Sequence, residues 1–183
     1  MHLCNTARAL HRSDLTNQTT REILQIPVAD KLVAMGAFCL MPNHFHFLLS
    51  PIKENGISRF MQKLGTAYSM YFNIKYERVG GLFISPFRSK HLRDDEYFQY
   101  AIQYVHCNPA ELYEQKWKEG NARDIGELEK KLLDYPYSSF GAFNGTDHIF
   151  RTLLNSSVFT IETQVSPKQM LEDAREYYES MSR

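Results

Sequence analysis

Residues 41–51 read Met-Pro-Asn-His-Phe-His-Phe-Leu-Leu-Ser-Pro, and this stretch decides the fold because it predicts the centre of a β-hairpin. Its first three residues, 41–43, are typical of a tight turn, since proline fixes its own φ and asparagine tolerates unusual backbone angles. Apolar runs lie on both sides of the turn. We therefore predict strands at Val33–Leu40 and Phe45–Ser50.

Two histidines lie directly after this turn, at positions 44 and 46. A strand turns successive side chains to opposite faces, so His44 and His46 share one face while Phe45 and Phe47 share the other. Two imidazoles on one face could converge on a single metal ion. The alternative is a pair of ordinary polar residues on a strand, which is the commoner situation for a histidine.

The composition limits the class of protein. The chain has 183 residues, 43% of them apolar and 23% charged, which is ordinary for one globular domain. The longest uncharged apolar run, residues 32–41, is about half of the roughly 20 residues that a membrane helix needs. Three scattered cysteines without metal-ligand spacing are typical of a reducing compartment. We therefore expect a cytoplasmic protein that has no membrane partner.

The formal net charge of zero conceals a basic segment in the middle of the chain. Residues 53–93 contain eight lysines and arginines against two acidic residues, or +6, whereas residues 94–183 contain nine against sixteen, or −7. Aromatic residues lie among these basic ones, a mixture suited to phosphates and unstacked bases. The alternative is a solvated helix face over an aromatic core. The candidate nucleic-acid-binding residues are Arg59, Lys63, Arg78, Arg88 and Lys90.

One helix is predicted within the basic segment and another directly after it. Apolar residues recur at three- and four-residue spacings from Ile57 to about Tyr76, which indicates an amphipathic helix. Residues 82–93 alternate aromatic and basic side chains, and we expect them to return to the sheet as an extended segment. A helix over 95–107 should then begin at Asp94-Asp95-Glu96 and end at Asn108-Pro109.

The two ends of the chain are less clearly patterned. Residues 1–20 predict a loosely packed start, and a short helix follows within 20–30. Residues 111–134 have mostly helical propensity, 135–139 read as a turn, and Ser166-Pro167 precedes a last helix to about residue 181. The predicted organisation is an N-terminal segment 1–32, a main domain 33–145 and a helical extension 146–183.

Tyr104 and Asn108 are four residues apart, so a helix over 95–107 stacks them on one face, with Asn108 at its end. A tyrosine hydroxyl has a pKa near 10 and needs an activated electrophile, which a divalent metal provides by polarising a phosphate oxygen. Two imidazoles and an amide oxygen leave coordination positions open, and such mixed nitrogen and oxygen ligation tolerates Mg²⁺ or Mn²⁺. Asn108 could equally serve only as a helix stop, and Tyr104 is one of 11 tyrosines.

Several motifs in order resemble the single-tyrosine HUH transposases, and are most similar to REP-associated tyrosine transposases, relatives of the insertion-sequence 200-like enzymes. The residues that carry the resemblance lie within 33–145. They are Met41-Pro42-Asn43-His44-Phe45-His46, Phe60-Met61-Gln62, Tyr71-Phe72-Asn73, Gly81-Leu82-Phe83, Phe87-Arg88, Tyr104-Val105-His106-Cys107-Asn108-Pro109 and Asp134-Tyr135-Pro136-Tyr137-Ser138-Ser139.

The resemblance implies an α+β fold with a ferredoxin-like antiparallel sheet and helices packed on one face. It also implies a metal-dependent DNA strand transferase acting on single-stranded or hairpin DNA as a monomer or homodimer. Tyr104 would be the nucleophile that retains the 5′ phosphate, His44 and His46 the paired metal ligands, and Asn108 the third ligand. His106, on another face of the helix, receives no catalytic role.

One family feature has no clear counterpart in residues 1–32. Family members usually begin with an extra strand, a Tyr-His-Val-type segment followed by arginine, so this sheet is expected to lack or replace its first strand. Two further hypotheses therefore stand beside the active transposase. One is a relic that binds hairpin DNA without cutting it, and the other is a metal hydrolase that uses water instead of Tyr104.

Overall fold

The hairpin predicted around residues 41–51 is present. Strand β1 is Val33–Leu40 and strand β2 is Phe45–Pro51, and in the described part of the chain the sheet consists of these two strands. The prediction that residues 82–93 return to the sheet is wrong, because no strand forms at 82–84 or 86–93. Phe83, Ile84 and Phe87 are all exposed there, so alternation without a buried face does not produce a strand.

A computed structural model describes residues 1–8, 17–84, 86–115, 117, 124–145, 148–155, 158, 166 and 168–174. The fold is α+β, as predicted, with an antiparallel hairpin and several helices. The chain divides into two compact units. Unit 1 comprises residues 1–34 and 50–91, and unit 2 comprises residues 35–49 and 92–183. The division passes through both strands of the hairpin.

Unit 1 contains two helices, α1 at Thr20–Gln25 and α2 at Gly56–Lys75. Thr19 and Glu22 form a capping box at the start of α1, in which each satisfies a backbone N–H of the other. The helix ends at Gln25, before Pro27, since the residue preceding a proline avoids helical backbone angles. Helix α2 lies within one residue of its predicted bounds at each end.

The first eight residues are better packed than the sequence predicted. The Asn5 side chain accepts hydrogen bonds from the N–H groups of Leu32 and Val33, at 3.1 and 2.9 Å, and donates to the Val33 carbonyl at 2.7 Å. Thr6 donates to the Ala29 carbonyl at 2.8 Å, and Leu3 is buried. Asn5 thus occupies the backbone groups that an added strand would use at the start of β1. Residues 9–16 of the predicted loose segment lie outside the described residues.

The first residue of α2, Gly56, has no room for a side chain. A Cβ at this position would lie 2.2 Å from the Leu32 carbonyl oxygen, which also accepts hydrogen bonds from Ile52 and Lys53. In contrast, a Cβ at Gly65 of the same helix would meet only a ring atom of Phe83, at 4.0 Å.

We expect Gly56→Ala to lower the free energy of unfolding by about 2–3 kcal/mol, because the backbone at Leu32 must move to relieve the clash. Gly65→Ala is the matched control, and should raise the free energy of unfolding by about 0.5–1 kcal/mol, since alanine favours the helix. Urea unfolding of the two variants measures both changes. Equal effects of the two substitutions would contradict this packing at Gly56.

Unit 2 contains the remaining helices of the described chain. They are α3 at Asp95–Cys107, α4 at Ala110–Tyr113, α5 at Ile125–Leu133, α6 at Phe140–Phe143, a 3₁₀ helix at Ile149–Leu153 and a helical segment at 168–174. Asp94 accepts a hydrogen bond from the Tyr97 N–H and so caps α3 as predicted. Residues 175–181 of the predicted last helix lie outside the described residues.

In unit 2, short segments cover the edge of β1 that faces away from β2. The Ser139 hydroxyl accepts a hydrogen bond from the Phe38 N–H, and the Ser139 N–H donates to the Phe38 carbonyl. The Leu40 N–H donates to the Tyr137 carbonyl at 2.8 Å, and the Asn155 N–H donates to the Met35 carbonyl at 2.9 Å. The predicted turn at 135–139 therefore takes part in protecting the sheet edge.

These hydrogen bonds reveal an irregularity in β1. Backbone groups of Met35, Phe38 and Leu40 all form hydrogen bonds on the side away from β2. In a regular strand the backbone groups of successive residues point to alternate sides, so Met35 and Phe38, three residues apart, should point to opposite sides. The side to which the backbone groups point therefore shifts by one residue between Met35 and Phe38. This shift requires one extra residue in β1, a β-bulge, at Gly36-Ala37. A Cβ on Gly36 would lie 3.0 Å from Val158 and 3.2 Å from Leu48, so glycine is the residue that fits there.

A shared apolar core fixes α3 against the hairpin in unit 2. The buried residues of this core include Ala37, Cys39 and Leu48 from the hairpin and Ile102 and Val105 from α3. Other members come from α5, α6 and the helical segment at 168–174. Because α3 buries one face here, its opposite face is available at the surface. No helix in the described residues is long and apolar enough to cross a membrane.

Candidate active site

The histidines and phenylalanines at the start of β2, residues 44–47, lie on opposite faces, as the alternation predicted. The rings of His44 and His46 are perpendicular, with centroids 4.9 Å apart. On the other face, the rings of Phe45 and Phe47 stack at 4.9 Å. His44 at the strand entrance is exposed, and His46 is half-buried. The two imidazoles are therefore neighbours, with His44 open to solvent.

Asn43, in the turn, holds the ring of His44. The Nδ1 atom of His44 lies 2.6 Å from the Asn43 side-chain oxygen. A carbonyl oxygen can only accept, so Nδ1 carries the proton and the lone pair of the neutral ring is on Nε2. Metal-binding histidines commonly have such a partner on the second nitrogen. The sequence pattern predicted Asn43 only as a turn residue, although an amide directly beside a candidate ligand is a signal for this role.

We expect Asn43→Ala to weaken Mn²⁺ binding about 10-fold or more, because His44 loses the acceptor that fixes its tautomer and orientation. Isothermal titration calorimetry without DNA measures this affinity directly. Asn43→Asp is the control, since a carboxylate oxygen at the same position keeps the acceptor and should preserve binding. An unchanged affinity in the alanine variant would exclude a positioning role for Asn43.

Tyr104 of α3 lies beside the histidine pair. Its ring is perpendicular to that of His46, with a centroid separation of 5.0 Å, and the side chain is 41% exposed. Tyr104 therefore combines contact with the histidine pair and access from solvent.

Asn108 is the C-cap residue of α3, one turn beyond Tyr104, and is 5% exposed. Its backbone carbonyl accepts a hydrogen bond from Glu111 at 3.4 Å. No hydrogen bond joins Asn108 to His44 or His46 among the described residues. Its place on the helix is thus as predicted, and its role as a third metal ligand stays a prediction.

His106 lies between these two residues in sequence and points into the protein. It is fully buried, its Nε2 lies 2.9 Å from the Ser139 hydroxyl, and its ring contacts Phe140 and Phe143. Burial lowers the pKa of His106 to about 3, so the imidazole is neutral. Because Ser139 also bonds to Phe38 of β1, this contact connects α3 to the hairpin. The buried His106 thus contributes to the packing of unit 2.

The spacing of the two histidine rings is compatible with a shared divalent ion. An ion about 2.1 Å from a ring nitrogen lies about 3.2 Å from the ring centroid, so two ligating imidazoles have centroids about 4.5–5.3 Å apart. The separation of 4.9 Å between His44 and His46 falls in this range. No group of three or more His, Cys, Asp or Glu side chains in the described residues could hold a metal. Any third ligand from this part of the chain is therefore of another type, such as an amide or a backbone carbonyl.

An open hollow of about 640 Å³ lies against the turn of the hairpin. One wall is the turn with His44, and the other is α4 and the residues that follow it. The residues that line it are Met41, Pro42, Asn43, His44, Glu111, Leu112 and Gln115. His44 is therefore accessible from solvent on this side.

Residues 1–110 match the family model described as "Transposase IS200 like". The chain belongs to the IS200-like transposase family. The match includes the histidine pair, Tyr104, Asn108 and the N-terminal segment 1–32. No curated protein and no solved structure matches the chain. Family membership supports a transposase function, that of a DNA-binding enzyme that cleaves and transfers DNA.

In this IS200-like transposase, the five candidate DNA-binding residues all lie in unit 1. Arg59, Arg78, Arg88 and Lys90 are exposed. The ammonium group of Lys63, however, donates to the backbone carbonyls of residues 6 and 8, at 2.6 Å each. Lys63 thus holds the N-terminal segment, and phosphate binding would compete with these bonds. Sequence patterns did not reveal this contact because its partners are more than 50 residues away in the chain.

Proposed function

We propose that this transposase cleaves and rejoins single-stranded or hairpin DNA through a covalent 5′-phosphotyrosine intermediate on Tyr104. The observation that carries the proposal is the contact of Tyr104 with His46, which is itself in contact with His44. A nucleophile and a pair of potential metal ligands thus lie side by side on different elements. Tyr104 is also accessible to a polymer substrate, since 41% of its surface is exposed.

His44 and His46 would hold Mg²⁺ or Mn²⁺ through ring nitrogens, with Asn108 as the proposed third ligand. A bound ion would supply Lewis acidity at a non-bridging phosphate oxygen, which would make the phosphorus more electrophilic. Asn43 keeps the Nε2 lone pair of His44 available by accepting a hydrogen bond from Nδ1–H of the same ring.

The Tyr104 oxygen attacks the phosphorus atom, and the bond from phosphorus to the 3′ oxygen breaks. The phenol gives up its proton and the departing 3′ oxygen receives one, so a free 3′ hydroxyl and a 5′-phosphotyrosine result. Attack by another 3′ hydroxyl on the phosphotyrosine restores Tyr104 and joins the strands. One phosphodiester-type bond replaces another in each step, so rejoining needs no ATP.

The test is incubation of the full chain with single-stranded hairpin oligonucleotides and Mn²⁺ or Mg²⁺, followed by a denaturing gel. A covalent adduct that depends on the metal, and that mass spectrometry locates on Tyr104, is the expected result. Tight binding without cleavage would instead indicate a DNA-binding relic. Cleavage without an adduct would indicate hydrolysis by water.

A further inference from the structure

Five aromatic side chains in unit 1 form a surface that we call the aromatic platform. Its members are Tyr68, Tyr71, Phe72, Tyr76 and Phe83. The ring of Tyr68 contacts those of Tyr71, Phe72 and Phe83 with centroid separations of 6.2–6.5 Å, and Phe72 contacts Tyr76 at 4.4 Å. The platform is therefore continuous.

The platform is at the surface and does not form a core beneath a solvated face. Tyr71 is 56% exposed, and Tyr68, Tyr76 and Phe83 are similarly open. This exposure contradicts the alternative that the basic segment covers an aromatic core. Tyr68, Phe72 and Tyr76 are spaced four residues apart, so they form a row about 12 Å long on α2. Such a row is long enough for more than one planar ligand group.

Two cationic side chains lie close to these rings. The Lys75 ammonium is 5.7 Å from the centroid of Tyr71 and 5.4 Å from that of Tyr76, and the Arg78 guanidinium is 5.5 Å from that of Phe72. A side-chain hydrogen bond with Tyr71 raises the pKa of Lys75, which therefore remains charged at neutral pH. Residues 64–84 contain these two cations and one acidic residue, Glu77, so this stretch of the chain carries a formal charge of +1.

We propose that the aromatic platform binds the unpaired bases of single-stranded DNA by stacking, while Lys75 and Arg78 neutralise adjacent phosphates. Rings that stack bases beside cations that follow the backbone are the general design of single-strand binding surfaces. Charge complementarity selects this partner over a second copy of the chain, because two copies would bring Lys75 and Arg78 against their own equivalents. The identity of the nucleic acid rests on the proposed function.

The experiment is a fluorescence anisotropy titration of the full chain with a labelled single-stranded oligonucleotide in EDTA, which measures binding without cleavage. Tyr71→Leu should weaken binding about fivefold to 100-fold, because leucine keeps apolar contact but has no π face. Tyr71→Phe keeps the ring and should bind within twofold of the wild type. Lys75→Gln should lower the slope of log Kd against log salt concentration by about 0.7.

Met70→Ala is the matched control, since Met70 is 53% exposed on the same helix and is not a member of the platform. Its affinity should equal that of the wild type. Equal affinities of Tyr71→Leu and the wild type, or a wild type that prefers duplex over single strands, would overturn the proposal. A dimer in sedimentation velocity that Tyr71→Leu converts to monomers would overturn it as well and assign the platform to self-association.

The same titrations separate this proposal from the proposed function. If no covalent adduct forms but Tyr71→Leu still weakens binding, the platform stands and the cleavage chemistry is wrong. If the adduct forms and Tyr71→Leu binds normally, the chemistry stands and the platform is wrong.

Discussion

Tyr104→Phe should reduce formation of the covalent protein–DNA adduct by about three orders of magnitude or more, to the level seen without enzyme. Phenylalanine keeps the ring that packs perpendicular to His46 and removes only the oxygen that would attack phosphorus. DNA affinity should change little, because the packing of the ring is preserved. A denaturing gel reports the adduct, and anisotropy in EDTA reports the affinity.

Tyr97→Phe is the control for this experiment. Tyr97 is an exposed tyrosine seven residues earlier on α3, two helical turns from Tyr104 and on the same side of the helix. This variant should form the adduct at the wild-type rate. Persistent adduct formation by Tyr104→Phe would show that another residue is the nucleophile, whereas persistent cleavage without an adduct would favour the water-based hydrolase.

The second large effect is a loss of stability in acid through His106. Burial lowers the pKa of this imidazole in the folded protein to about 3, whereas an unfolded histidine has a pKa near 6.5. Below pH 6.5 the unfolded chain therefore binds a proton that the folded protein does not accept, and unfolding is favoured. The contribution of His106 to the free energy of unfolding is complete above pH 6.5. This contribution should have fallen by about 2.7 kcal/mol at pH 4.5.

Urea unfolding at pH 7 and pH 4.5 measures this loss, and His106→Gln isolates the histidine. Glutamine can still donate to the Ser139 hydroxyl but does not titrate, so the difference in stability between the two pH values should shrink by about 2–3 kcal/mol. His91→Gln is the control, because His91 is exposed. This variant should show the same difference in the free energy of unfolding between pH 7 and pH 4.5 as the wild type. The same pH dependence in His106→Gln and the wild type would refute this account.

Local patterns predicted the elements that carry the site. Alternation and turn residues predicted the hairpin, and apolar spacing and caps predicted α2 and α3. The predicted strand at 82–93 failed because alternating side chains specify an extended backbone but not a partner strand. The cover of β1 by Asn5, Ser139 and Asn155 had no local signal, since each contributes a few hydrogen bonds from a distant part of the chain.

The candidate site was predictable to the extent that it lies on two regular elements. Strand alternation paired His44 with His46, and helix spacing placed Tyr104 above Asn108. The contact of Tyr104 with His46 depends on how α3 packs on the hairpin, which residue spacing alone does not specify. That packing includes the buried contact of His106 with Ser139, which joins two distant parts of the sequence.

The covered edge of β1 in unit 2 has a consequence for how this protein can misassemble. An exposed strand edge invites strands of other molecules to add to it and begin a fibril. Here Tyr137, Ser139 and Asn155 occupy the hydrogen-bonding groups of Leu40, Phe38 and Met35, and the bulge at residues 36–37 interrupts the flat template that an incoming strand needs. Fibril growth from this edge would first require two separate segments to detach, so intermolecular strand addition is coupled to local unfolding of unit 2.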